Sequence, residues 1–134
     1  MVCIYCGKQL DVLNSRPQRR NNQVWRRRKC PGCGALFTSH EIIDLSNSIA
    51  VLEPGNTFTP FNRDKLLLSI YKSCGHRENA LHDASALVDS IIARIIKLAD
   101  SGSIQKSQII DSCVQVLRNF DKAAVVQYQA YHNY

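Results

Sequence analysis

Four of the six cysteines fall into two Cys-x-x-Cys pairs, each followed by glycine: Cys3-Ile4-Tyr5-Cys6-Gly7 and Cys30-Pro31-Gly32-Cys33-Gly34. A turn of this kind presents two thiolates and directs backbone N–H groups at the sulfurs, and glycine suits the position where the chain must turn with positive φ. Two turns complete a four-cysteine set of Cys3, Cys6, Cys30 and Cys33. That is a closed tetrahedral site for one structural Zn2+ per chain, with no open coordination position for chemistry. Iron in a rubredoxin-like centre would use the same four thiolates, and spacing alone leaves it open. Cys74 and Cys113 sit on helical patterns among apolar neighbours, where a buried thiol is expected. His40, His76, His82 and His132 match no ligand spacing.

Between the two pairs runs a segment of 23 residues, Gly7 to Lys29, that carries Arg16, Arg19, Arg20, Arg26, Arg27, Arg28 and Lys29. Residues 1–45 hold eight Lys/Arg against three Asp/Glu, whereas residues 46–134 hold nine against eight. The excess positive charge of the chain, +6 overall, therefore lies in its first third. Four thiolates around one divalent cation leave a net −2, and this third stays basic even so. A small basic module points to a polyanion, nucleic acid first. Arginine suits phosphate and the guanine edge because its planar fork pairs bidentately. Arg16, Arg26, Arg27, Arg28 and Lys29 are the candidate DNA contacts. In a strand, Arg26 and Arg28 face one way and Arg27 the other. Arg19 and Arg20 suit phosphate contact better than base readout. Trp25 can stack on a base or pack the ribbon; packing is the favoured role, because the ribbon has few other large residues.

No leader-like segment precedes Cys3, and no apolar run approaches the roughly 18 residues of a membrane span. A reducing, cytoplasmic location and no membrane partner are therefore expected, consistent with metal-binding thiols. A closed site of four cysteines, no activated nucleophile, no paired carboxylates and no Gly-x-x-x-x-Gly-Lys-Ser/Thr loop argue against an enzyme.

The elements that must position these residues define an α+β chain of two domains. Residues 1–45 are a small β zinc ribbon, too poor in large apolar side chains to fold without metal. Its expected strands lie in Leu10–Leu13, Val24–Lys29 and Leu36–Thr38, with a turn at Asn14–Pro17 and a polar tip at Gln18–Gln23. Asp44–Ser48 reads as a hinge. Residues 46–134 form a mainly helical domain that opens with a β-hairpin, Ile49–Glu53 and Thr57–Thr59, around Pro54-Gly55-Asn56. Asn62 can cap a first helix with Leu66, Leu67, Ile70 and Tyr71 on one face. A second helix runs from about Asn79 to Ala99 and stops at Ser101-Gly102. A third carries Ile109, Cys113, Val116, Leu117 and Phe120. Asp121 can cap a fourth, with Ala124, Val125, Tyr128 and Tyr131 on one side.

Taken in order, Cys3-Ile4-Tyr5-Cys6, Asn14-Ser15-Arg16-Pro17, Arg26-Arg27-Arg28-Lys29-Cys30, Phe37-Thr38-Ser39-His40-Glu41 and Pro60-Phe61-Asn62-Arg63-Asp64-Lys65 resemble the NrdR family of bacterial ribonucleotide reductase regulators. The resemblance covers almost the full chain. It implies a zinc ribbon followed by an ATP-cone that takes ATP or dATP as effector and changes oligomeric state. It also implies repression of reductase genes at paired operator boxes on double-stranded DNA. Val51, Asn62 and Lys65 match the cone pattern and are the candidate nucleotide contacts; a lysine on the first turn of a helix favours an anion. The hairpin departs from the family's Val-x-Lys-Arg-x-Gly, because in Val51-Leu52-Glu53-Pro54-Gly55 the residues after Leu52, Glu53 and Pro54, stand where the two cations are typical. Thr59 stands where a glutamate is typical. These departures motivate a second expectation: a ribbon that binds nucleic acid or protein, with a degenerate cone kept only for oligomerisation.

Overall fold

The computed structural model describes residues 1–132, and the fold is α+β. The final residues of the expected second domain, 133–134, lie outside the described ones. The chain divides into two compact units, Met1–Asp44 and Leu45–Tyr134.

The first unit is a three-stranded antiparallel sheet of β1 (Asp11–Gln18), β2 (Gln23–Lys29) and β3 (Leu36–Glu41), with β2 central. Asn14–Pro17 is strand, where a turn is expected from its composition. Pairing with β2 outweighs that local preference, and the register shift between Val12 and Asn14 absorbs the irregularity as a bulge. Pro17 is tolerated because β1 is an edge strand. The β1–β2 hairpin closes through residues 19–22, with Asn22 left-handed at φ 48°. The core of this unit is tiny: Cys3, Leu10 and Cys30 are buried, with Ala35 and Phe37 packed against them. Trp25 is not part of it. It lies half-buried on the sheet, opposite Arg16 and His40.

The segment expected as a hinge contains a short 3-10 helix, Leu45–Asn47. The second unit then builds β4 (Ala50–Glu53) and β5 (Thr57–Pro60) as an antiparallel hairpin. A third strand that the sequence pattern does not reveal, β6 (Ser103–Gln105), pairs parallel to β4 on its other side. Three residues are too few for a periodic signal. The turn into it needs positive φ at Ser101 and Gly102, and a Cβ at Gly102 would stand 3.3 Å from the Ser48 carbonyl oxygen.

Among the described residues, four helices complete the unit: α1 (Arg63–Ser73), α2 (Ala80–Leu98), α3 (Lys106–Phe120) and α4 (Lys122–Tyr131). Asn62 and Asp121 cap α1 and α4 as expected, their side chains accepting from the backbone N–H of Lys65 and of Ala123 and Ala124. The stripe Ala84, Leu87, Val88, Ile91 and Ile95 of α2 is buried against Leu66 and Ile70 of α1, Cys113 and Leu117 of α3, and Tyr128 of α4. Spacing puts Tyr71, Leu98 and Tyr131 on inward faces, but they are exposed, because each sits at the margin of its stripe. Cys74 and Cys113 are buried thiols, and burial pushes Cys113 up to about 11. Ser73 and Ser112 are buried with their hydrogen bonds satisfied, since each hydroxyl donates to the carbonyl one turn back.

The α1–α2 and α3–α4 connections meet in a charged knot. Arg77 donates to Asp83 at 2.7 Å and to Asp121 at 2.9 Å, and lies over the Phe120 ring at 4.4 Å. His76 Nε2 is 2.9 Å from the same Asp121 oxygen. His76 first, then Arg77, holds the Asp121 carboxyl well below the usual carboxylate range. A depressed folded-state pKa gives stability that is full above the unfolded value of about 3.9 and lost as pH falls. Asp121→Asn keeps the helix cap but removes this charge. Its urea-unfolding free energy is therefore expected to lie below that of the wild type at pH 7 and to converge with it as pH falls below about 4. A gap that stays constant on acidification would contradict the assignment.

Candidate metal centre and nucleic-acid interface

The two Cys-x-x-Cys turns are built alike. In the first, Cys3 N–H donates to Lys8 C=O at 2.8 Å and Gly7 N–H to Cys3 C=O at 2.9 Å. In the second, Cys30 N–H donates to Ala35 C=O at 2.9 Å and Gly34 N–H to Cys30 C=O at 3.0 Å. Gly7 and Gly34 occupy equivalent left-handed positions, φ 73° and 76°. Equal spacing in sequence has become equal geometry, and the two turns face each other.

All four sulfurs lie within 4.8 Å of one another. Cys3 Sγ is 3.6 Å from Cys33 Sγ, and Cys6 Sγ is 3.4 Å from Cys30 Sγ. A disulfide needs about 2.05 Å, so these are not bonded pairs. A tetrahedron with zinc–sulfur distances of about 2.3 Å has edges of about 3.8 Å, close to what is found. One thiol of each turn is buried (Cys3, Cys30) and one faces solvent (Cys6, Cys33). The Tyr5 N–H points at Cys3 Sγ from 3.4 Å. The N–H groups of Lys8, Cys33 and Ala35 act on Cys6, Cys30 and Cys33, each favouring the thiolate. Four crowded sulfurs also compete for protons. Cys30 is drawn down to about 6, chiefly by the Cys33 N–H. Cys6, despite its Lys8 N–H, is pushed up to about 11, chiefly by hydrogen bonding to Cys30. A divalent cation at the centre lets all four be thiolates together. The donor set and its dimensions fit Zn2+.

The basic residues lie on the sheet that this cluster terminates. Cross-strand partners share a face, so the register sorts them. One face holds Arg26 and Arg28 with Ser15, Ser39, Phe37 and Glu41; the other holds Arg16, Trp25, Arg27 and Lys29 with Asp11, Thr38 and His40. The alternation of Arg26 and Arg28 against Arg27 follows the sequence reading. On the first face the guanidinium groups are engaged. Arg26 donates to Ser15 Oγ at 2.9 Å and pairs with Glu41 at 3.2 Å; Arg28 Nε donates to Ser39 Oγ at 2.8 Å. On the second face Arg27 donates to Thr38 Oγ1 at 3.1 Å, and Arg16 lies 6.0 Å from the centre of the Trp25 ring.

In the second unit Val51 is buried in the core, Asn62 is engaged in capping α1, and Lys65 lies exposed on the first turn of α1. Glu53 closes β4 and pairs with Lys106 at 2.8 Å. Lys106, at the start of α3, escaped the sequence reading, because β6 brings it beside the hairpin and the pattern hides β6.

A four-cysteine ribbon joined to a domain of one β-hairpin and four helices defines a class: a zinc ribbon with an ATP-cone. Residues 1–41 match the family model described as "Transcriptional repressor NrdR-like, N-terminal domain", and residues 49–134 match that of the ATP cone domain. Proteins called Transcriptional repressor NrdR are similar over almost the whole chain. The one from Sphingopyxis alaskensis is 34% identical over 129 residues, covering 96% of this chain and 82% of its own. That from Rhodospirillum centenum is 35% identical with the same coverage, and that from Geobacter sulfurreducens is 33% identical over 96% of this chain and 85% of its own. The chain belongs to the NrdR family of transcriptional repressors.

Removing metal with a strong chelator is expected to collapse the amide NMR dispersion of residues 1–44 while residues 45–132 keep theirs. Cys30→Ser is expected to purify with sub-stoichiometric zinc by atomic absorption. A ribbon that keeps full dispersion with no bound metal would contradict the site.

Proposed function

We propose that the protein is a nucleotide-responsive transcriptional repressor whose ribbon grips operator DNA of ribonucleotide reductase genes. In this reading residues 1–45 bind DNA and residues 46–134 sense an adenine nucleotide, ATP or dATP, near Val51, Asn62 and Lys65. Cys3, Cys6, Cys30 and Cys33 hold one Zn2+, which keeps the sheet in shape and takes no part in catalysis. The protein works in the cytoplasm, on the nucleoid when bound to DNA.

The observation that carries the reading is β2. Arg26, Arg27, Arg28 and Lys29 run along the central strand, flanked on both sides, and end at Cys30, a member of the sulfur cluster. Their backbone is therefore held at both edges and at one end, which suits pre-organised contact with a rigid duplex. Of the two faces, that of Arg16, Trp25, Arg27 and Lys29 is the better DNA surface. It carries more positive charge, and among the described residues none of its arginines is paired to an acid, whereas Glu41 already neutralises Arg26. Arg26 and Arg28 then serve phosphates at the flank. One ribbon offers few base contacts, so two or more copies must act together on the operator; the active species is a homo-oligomer.

Operator binding measured by fluorescence anisotropy is expected to weaken about tenfold or more in Arg27→Ala, and less in Arg26→Ala. The salt dependence should flatten by about one unit of log–log slope for each phosphate-binding cation removed. An Arg27→Ala protein that binds as the wild type does, or a strictly monomeric protein on its operator, would overturn the reading.

A further inference from the structure

Glu53 is the one acidic residue of the β4–β5 hairpin, and both of its oxygens are engaged. Oε2 lies 2.8 Å from Lys106 Nζ, and Oε1 accepts from the Thr59 hydroxyl at 3.1 Å. Its side chain is 20% exposed, against 47% for Lys106. The pair stands on the wall of an open surface pocket of about 360 Å³, with Leu52, Pro54 and Asn56 of the hairpin on one side and Gln105 and Ser107 on the other. Glu53 and Lys106 are its two charged lining residues. The first turn of α3 has no acid of its own, so the positive end of that helix and the Lys106 ammonium are answered by Glu53. Lys106 first, then Thr59 and Lys65, holds the Glu53 carboxyl below its ordinary range, so it is charged at neutral pH.

The pocket lies next to Val51 on β4, and Glu53 is within the electrostatic reach of Lys65. We propose that this pocket takes the phosphates of the effector and that Glu53 is its acidic latch: the carboxylate occupies Lys106 as an internal anion, and a phosphate-bearing effector must displace it to bind. The inference rests on the nucleotide reading of the cone given above. Physically, Glu53 acts twice. It repels an entering polyanion, and it keeps the cation that would attract one already satisfied. Leu52 adds no charge to compensate. The latch raises the effector concentration needed for a response and couples binding to release of the hairpin from α3. The same pair read as a simple surface salt bridge would matter only, and weakly, for stability.

Calorimetric titration of the full chain with ATP and with dATP tests this in wild type, Glu53→Gln and Lys106→Gln. Glutamine keeps the shape of Glu53 and can still accept from Thr59. Glu53→Gln is expected to bind both nucleotides about tenfold or more tightly than the wild type, and Lys106→Gln more weakly. Unchanged affinity in folded Glu53→Gln, with only a shift in Tm, overturns the latch. If circular dichroism shows Glu53→Gln unfolded, Lys106→Gln decides: unchanged affinity there overturns it equally. A wild type that binds neither nucleotide beside a Glu53→Gln that binds both upholds the latch and overturns the effector reading of the natural chain. Binding by neither overturns both.

Discussion

Attraction between four thiolates and one small cation is the constraint on which the ribbon depends. Three buried residues, two of them cysteines, cannot offset the chain entropy of ordering some 40 residues. The sulfur cluster supplies what the core lacks. It also does so at a useful place. Cys30 directly follows β2, and Cys3 and Cys6 stand before β1, so a single ion ties the start of the ribbon to the end of its central strand. The arginines inherit their order from that tie. Without it they would be cations on a flexible loop, able to attract a polyanion but unable to present a fixed pattern to it.

The second half is stabilised by other means. Its helices share one apolar core, and its charged residues settle the joints rather than the interior. Arg77 and Asp121 gather two interhelical connections, and Asp121 also caps α4. Glu53 and Lys106 do something comparable where the hairpin meets α3. The first pair stands at a joint between helices; the second lies on the wall of an open surface pocket. Position, not strength, makes one a structural knot and the other a candidate control point.

The two halves also treat charge differently. On the ribbon, positive groups are concentrated on one sheet and mostly left to hydroxyl partners, which leaves their charge available to an outside anion. In the cone, the acid of the hairpin is balanced internally by Lys106. A ligand approaching the first finds an attractive field, whereas a ligand approaching the second must compete for it.

Much of this was legible from residue order alone. Metal ligands were readable because two Cys-x-x-Cys spacings, each with a following glycine, specify a local turn whose geometry needs no distant partner. The helices α1 to α4 and the caps Asn62 and Asp121 were readable because helical hydrogen bonds are local and 3.6-residue periodicity survives in sequence. What only the tertiary structure decided were matters of pairing. Asn14–Pro17 became strand because β2 lay beside it, and Trp25 left the core because the register set it opposite Arg16 and His40. The three residues of β6 became a strand because β4 offered a free edge. The partnership of Glu53 with Lys106 follows from that last pairing. Contacts between residues far apart in the chain leave no periodic trace, so they emerge only when the sheet assembles.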